Sequence, residues 1–215
     1  MEAERNLSIE RVYETYVVSF YKDEIHATVT SDCDTLTRWI NEIEHPNLFI
    51  VGFDIQYRYC YLNDFVSTVQ LCVGSRCLIY QLEYVDYDYP DVLLNFLANE
   101  EYTFVGWVIN HSLTRLEMEH ALDIPGGMEV DLMNLLNWYL ASWIDSLEYD
   151  DEWAELAEIL VEKELEDMPE DLIILRWDLR RLTPRQVKHL SVDAFVAFEM
   201  GRVLNARQYR LITDT

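Results

Sequence analysis

The stretch Leu48 to Tyr57, LFIVGFDIQY, constrains this chain more than any other ten residues. Its apolar and β-branched residues read as a buried strand entered from His45-Pro46-Asn47. Yet Asp54 stands inside it. Side chains alternate along a strand, so Asp54 and Gln56 point one way and Ile55 the other. A buried ionised carboxylate is costly unless it is paired or ligates a metal. Two readings stay open: a site residue, or an aspartate near the strand's end that hydrogen-bonds a neighbouring loop.

Around this strand the pattern alternates between sheet and helix signals. Glu14 to Thr30 alternates and breaks at Lys22-Asp23-Glu24, as a β-hairpin would. Ser31 or Asp32 can cap a helix to about Glu44 with Leu36, Trp39, Ile40 and Ile43 on one face. Thr68 to Val73 and Cys77 to Leu82 form a second hairpin around Gly74-Ser75-Arg76, with Cys72 and Cys77 able to face one another. Pro90 opens a helix to about Asn99, and Tyr102 to Ile109 follows as a buried strand. Helical patterns then occupy about 111–121, 130–143, 151–166 and 184–206. The order predicts one α/β domain, a mixed sheet flanked by helices, over residues 12–206, with tails at 1–11 and 207–215.

Composition limits what such a domain can do. With 16 Lys+Arg against 40 Asp+Glu, the formal charge is −24, which disfavours a polyanion as a tight partner. The charge is uneven. Residues 145–171 hold 13 acids and one Lys, whereas 176–215 hold eight Arg or Lys and four acids. The apolar runs reach six residues, too few to span a membrane, and the start MEAERNLSIER has no apolar leader. Cytoplasm or nucleus is the expected location. Four cysteines without a Cys-x-x-Cys or a paired His-x3-His read as reduced thiols, with no zinc site.

A second acid stands in LTPRQVKHLSVDAFVAFEMGRVL, where Thr183-Pro184 supplies an N-cap and first turn. Asp193 sits among apolar neighbours one turn after His189, so the two share a helix face. On spacing alone this is either a structural His–Asp pair or part of a site.

The blocks VGFDIQYRY, STVQLCVGSRCLIYQL, FVGWVINHSLTRL and LTPRQVKHLSVDAFVAFEMGRVL resemble, in this order, the 3′–5′ exonuclease domain of the DEDD superfamily. The similarity is greatest to the plant Werner-syndrome-exonuclease-like branch, a tyrosine-type branch within the ribonuclease D group. The resemblance implies an RNase H-like fold with a five- or six-stranded mixed sheet. It also implies four carboxylates holding two Mg²⁺ or Mn²⁺ ions, and a tyrosine orienting the attacking water. This chain departs from that pattern. Asp-x-Glu reads Asp54-Ile55-Gln56, the second carboxylate aligns with Ser112, and Tyr-x3-Asp reads His189-Leu190-Ser191-Val192-Asp193. Asp54 and Asp193 remain as metal-ligand candidates, with His189 as a possible general base.

Three functions follow. One is a pseudo-exonuclease, catalytically dead or strongly impaired, that works through a protein partner or a homo-oligomer. Trp143, Tyr149 and Trp153 in the acidic region are the interface candidates. Another is a weak Mg²⁺- or Mn²⁺-dependent exonuclease on DNA or RNA. The third is a non-cleaving nucleic-acid module using Arg176, Arg180, Arg181, Arg185 and Lys188.

Overall fold

The computed structural model describes residues 13–43, 49–58, 64–85, 91–120, 124–140, 153–165 and 176–213. Strands β1 (Tyr13–Phe20) and β2 (Asp23–Thr30) pair as the expected hairpin. Asp32 starts α1 (Cys33–Ile43), where its carboxylate accepts from the Thr35 N–H at 2.8 Å and from the Thr35 hydroxyl at 2.6 Å. Strands β3 (Ile50–Arg58), β4 (Phe65–Val73) and β5 (Arg76–Gln81) follow. The β4–β5 turn puts Gly74 at φ 58, a left-handed conformation that glycine adopts at no steric cost. Cys72 and Cys77 are register partners beside that turn and carry free thiols.

After α2 (Asp91–Leu97) comes β6, which runs only over Thr103–Gly106. The chain turns at Trp107-Val108 and enters α3 (Ile109–His120), so the strand expected to reach Ile109 ends three residues earlier. Val130 and Asp131, expected to open a helix, instead belong to β7 (Glu129–Asp131), which runs parallel to β6 with Val130 buried. Helices α4 (Leu132–Leu140), α5 (Trp153–Val161), α6 (Pro184–Val203) and α7 (Ala206–Thr213) complete the described residues.

The sheet has seven strands in the order β1-β2-β5-β4-β3-β6-β7, one or two more than expected. Pairs β2–β5, β3–β6 and β6–β7 are parallel and the rest antiparallel, which makes the sheet mixed. Helices α1, α2 and α3 cover one face through Leu36, Leu93, Leu116 and their neighbours. Helix α6 lies on the other through Leu190, Ala194 and Phe198, with α4 and α5 packed beside it. β3 lies between β4 and β6, with Val51, Phe53 and Ile55 buried on the α1–α3 face and Gly52, Asp54 and Gln56 turned to the other.

Most of the supposed C-terminal tail is helical. In α7, Arg210 is 6% exposed, and its guanidinium donates to Glu100 O at 2.7 Å and Gly127 O at 3.5 Å. Those carbonyls would be left short of a partner in Arg210→Ala. We expect that variant to lose about 1–3 kcal/mol in urea unfolding; a loss below about 0.5 kcal/mol would mean that α7 is a loose appendage.

Candidate active site

The site forms where β3 and α6 touch backbone to backbone. A Cβ at Gly52 would stand 2.0 Å from Ala194 O and 2.7 Å from Phe198 N, so only glycine permits this approach. Gly52, Asp54 and Gln56 share the face of β3 that meets α6, and Asp193 directly precedes Ala194. The contact at Gly52 therefore brings Asp54 to Asp193. The register of α6 is set at its start by a capping box. The Thr183 hydroxyl accepts from Gln186 N at 3.2 Å, and the Gln186 side-chain oxygen Oε1 accepts from Thr183 N at 2.9 Å.

Burial governs the charges. It pushes the Asp54 pKa well above the usual carboxylate range, and the neighbouring Asp193 raises it further. The Ile55 backbone N–H offsets part of this by hydrogen-bonding the carboxylate. Burial also raises Asp193 to about 7 and lowers His189 to about 4. His189 Nε2 lies 3.2 Å from Asp193 Oδ2, without the alignment of a hydrogen bond. Both side chains are mostly enclosed, at 15% and 21% exposure, and the indole of the fully buried Trp177 lies 6.1 Å from the imidazole. At neutral pH the imidazole is uncharged, while burial and the closeness of the two carboxyls favour a proton held on the Asp54–Asp193 pair.

The structure thus brings Asp54, Asp193 and His189 together, with Gln56 two residues along the same face. Ser112 is buried on α3, which packs against β3 and β4. Two residues that sequence reasoning passed over complete the polar strip. Gln70 and Thr68 on β4 are the register partners of Asp54 and Gln56, and both are fully buried. The Gln70 amide donates to the Thr68 hydroxyl at 2.6 Å, while Gln70 Oε1 has no hydrogen-bond partner among the described residues. Their signal was present: in Ser67 to Val73 (STVQLCV) the polar Thr68 and Gln70 alternate with valine and leucine, the same pattern as Asp54 and Gln56. Asp131 was missed too. It caps α4 by accepting from Met133 N at 3.0 Å and also receives the Ile109 backbone N–H, which ties α4 to the start of α3.

Arg176 and Arg181 of the basic group sit beside acids. Arg176 donates to both carboxylate oxygens of Asp178, at 3.0 and 2.8 Å, and this holds Asp178 below the usual range. Arg181 lies 3.4 Å from Glu14. Arg180 and Arg185 are exposed and Lys188 is half-buried. Trp143 and Tyr149 lie outside the described residues, as does the side chain of Trp153.

A two-metal centre needs anionic oxygens on both ions. Here Asp54 and Asp193 supply two, and Gln56, Gln70 and Thr68 on the same face of β3 and β4 carry only neutral groups. Among the described residues, no three His, Cys, Asp or Glu side chains come together as a metal-binding group. The residues present do not fit such a centre.

No family model matches the sequence, and no curated protein does. Solved structures do match. The Nibbler EXO domain of Aedes aegypti superposes with a TM-score of 0.66 at 12% identity, covering 91% of this chain and 94% of that one. The fold is that of the 3′–5′ exonuclease domains. Escherichia coli RNase D, an exoribonuclease involved in structured RNA processing, matches at a TM-score of 0.62 and 13% identity over 86% of this chain and 49% of its own. Brucella melitensis NrnC, solved with bound Mg²⁺, matches at 0.58 and 15% over 78% and 77%. Among the described residues no helix is long and apolar enough to cross a membrane.

Proposed function

We infer that this chain keeps the 3′–5′ exonuclease fold, is catalytically dead or strongly impaired, and works through protein–protein contact, with a protein partner or with further copies of itself. The donor set carries the first half of that reading. At the meeting of β3 and α6 two buried carboxyls with raised pKa stand beside a neutral histidine, and Gln56, Gln70 and Thr68 on the same face offer only neutral groups. Charge supports the second half. A surface of −24 repels a polyanion, and Arg176 and Arg181 spend their charge on Asp178 and Glu14. The quoted sequence blocks favour the plant Werner-exonuclease-like branch of the DEDD superfamily, with cytoplasm or nucleus as the place of action. Mg²⁺, which is bound in the NrnC structure, or Mn²⁺ enters only as the cofactor of any residual cleavage.

A 3′-end-resolved nuclease assay tests this on single- and double-stranded DNA and RNA with Mg²⁺ and with Mn²⁺. The natural protein is expected to be silent. Gln56→Glu/Ser112→Asp/His189→Tyr, which returns the missing groups, is expected to cleave at least about 100-fold above background. Cleavage by the natural protein that Asp54→Ala abolishes would overturn the reading.

A further inference from the structure

The two edges of the sheet are built differently. β7 is three residues long, and α7 packs against it. β1 has eight residues and pairs with β2 along its whole length without a bulge, from Tyr13 opposite Thr30 to Phe20 opposite Asp23. Among the described residues nothing pairs with its outer edge. The two-residue turn at Tyr21-Lys22 makes Phe20 and Asp23 a hydrogen-bonded pair, so Val18, Tyr16 and Glu14 also direct their backbone groups to β2. Tyr13, Thr15, Val17 and Ser19 therefore present their N–H and C=O groups outward.

Edges of this kind are normally protected by lysine, proline, inward charges or bulges. β1 has no lysine, proline or bulge. Its one charge, Glu14, is engaged by the Tyr16 hydroxyl at 2.6 Å and by Arg181. In a chain of −24, this strand is a strip of −1. Val17 is 61% exposed and Tyr13 37%, both on the outward face.

We propose that β1 is a dimer interface, pairing antiparallel with β1 of a second copy about a two-fold axis through Tyr16. This register sets Thr15 opposite Val17 of the partner subunit, Tyr13 opposite Ser19 of the partner subunit, and Glu14 opposite Val18 of the partner subunit. The outward groups then exchange about eight backbone hydrogen bonds. No like charges face each other, and every contact is made twice, as a two-fold interface requires. That self-complementarity, with the near-neutrality of the strip, points to a second copy over a strand of another protein. The inference deepens the protein-contact reading above by naming the partner.

Sedimentation equilibrium of the full chain from about 1 to 100 µM tests it, together with amide hydrogen exchange. The natural protein is expected to dimerise, with the Thr15 and Val17 amides slowing as concentration rises. Thr15→Lys/Val17→Lys sets lysine opposite lysine in the dimer and is expected to weaken it at least about tenfold. The far-UV circular dichroism and melting temperature of the monomer should stay unchanged, because both side chains are exposed. A protein monomeric at 100 µM sinks the proposal. So does a dimer that the double variant leaves intact while those two amides exchange freely. Neither result depends on whether the protein cleaves nucleic acid, so this proposal and the loss of hydrolysis fail separately.

Discussion

Gly52→Ala is expected to destabilise the protein by about 3 kcal/mol or more. The added Cβ would stand 2.0 Å from Ala194 O and 2.7 Å from Phe198 N. Both obstacles are backbone, so no rotamer change relieves them, and α6 must move away from β3 as a body. Gly126→Ala is the control, since its Cβ would meet nothing closer than Glu129 Oε1 at 3.7 Å. There the alanine should be neutral, or stabilising by up to about 1 kcal/mol through reduced freedom of the unfolded chain. Urea unfolding of the two variants side by side decides the matter; equal effects would mean that the β3–α6 approach is looser than described.

Asp193→Asn should act in the opposite direction and make the protein more stable above pH 7. The folded pKa of about 7 lies above the ordinary 3.8, so the native state holds this proton more tightly than the unfolded chain does. The penalty is absent below pH 3.8, grows as pH rises toward 7, and is constant above that. A shift of this size corresponds to about 4 kcal/mol if fully transmitted. With 21% of the side chain accessible, solvent screens part of it, leaving about 1–3 kcal/mol. His189 runs the other way: with a folded pKa of about 4 it loses stability as pH falls below 6.5. Natural and variant protein share nearly all the global charge, so their difference reports Asp193 together with the relief its removal gives Asp54. Urea titrations at pH 8, 6 and 4.5 should show the advantage of asparagine shrinking toward zero. An advantage flat in pH, or a less stable variant, would refute the assignment of a buried, repelled carboxyl.

Local signals account for what the sequence made legible. The hairpin from Glu14 to Thr30 alternates over its whole length, and Thr183-Pro184 with Gln186 marks the start of α6 within one turn. Asp54 stood out because an acid inside an apolar strand demands a reason. Long-range contacts account for the rest. β7 is three residues that are extended only because β6 pairs with them, and no propensity in Glu129-Val130-Asp131 announces it. Gly52 could be suspected of a close approach, but which helix approaches is a property of the packed molecule. Gln70 and Thr68 join the site through register across β3 and β4, which the two strands set together. The helix α7 escaped notice because its hold on the fold is made of long-range contacts: the buried Arg210 reaches carbonyls far away in sequence, Tyr209 packs on Trp138, and Arg207 lies over Phe49.

The same wide spacing has a consequence for how the molecule comes into being. Asp54 and Asp193 lie 139 positions apart, so the polar face of β3 is made long before the helix that covers it. At about 5–20 residues per second, synthesis leaves that face uncovered for roughly 7–28 seconds. Contacts this distant along the chain also form slowly once the chain is free. Each new molecule therefore passes through a period in which this interior strand, one face apolar and the other carrying two hydrogen-bonding side chains, waits for residues still to be translated.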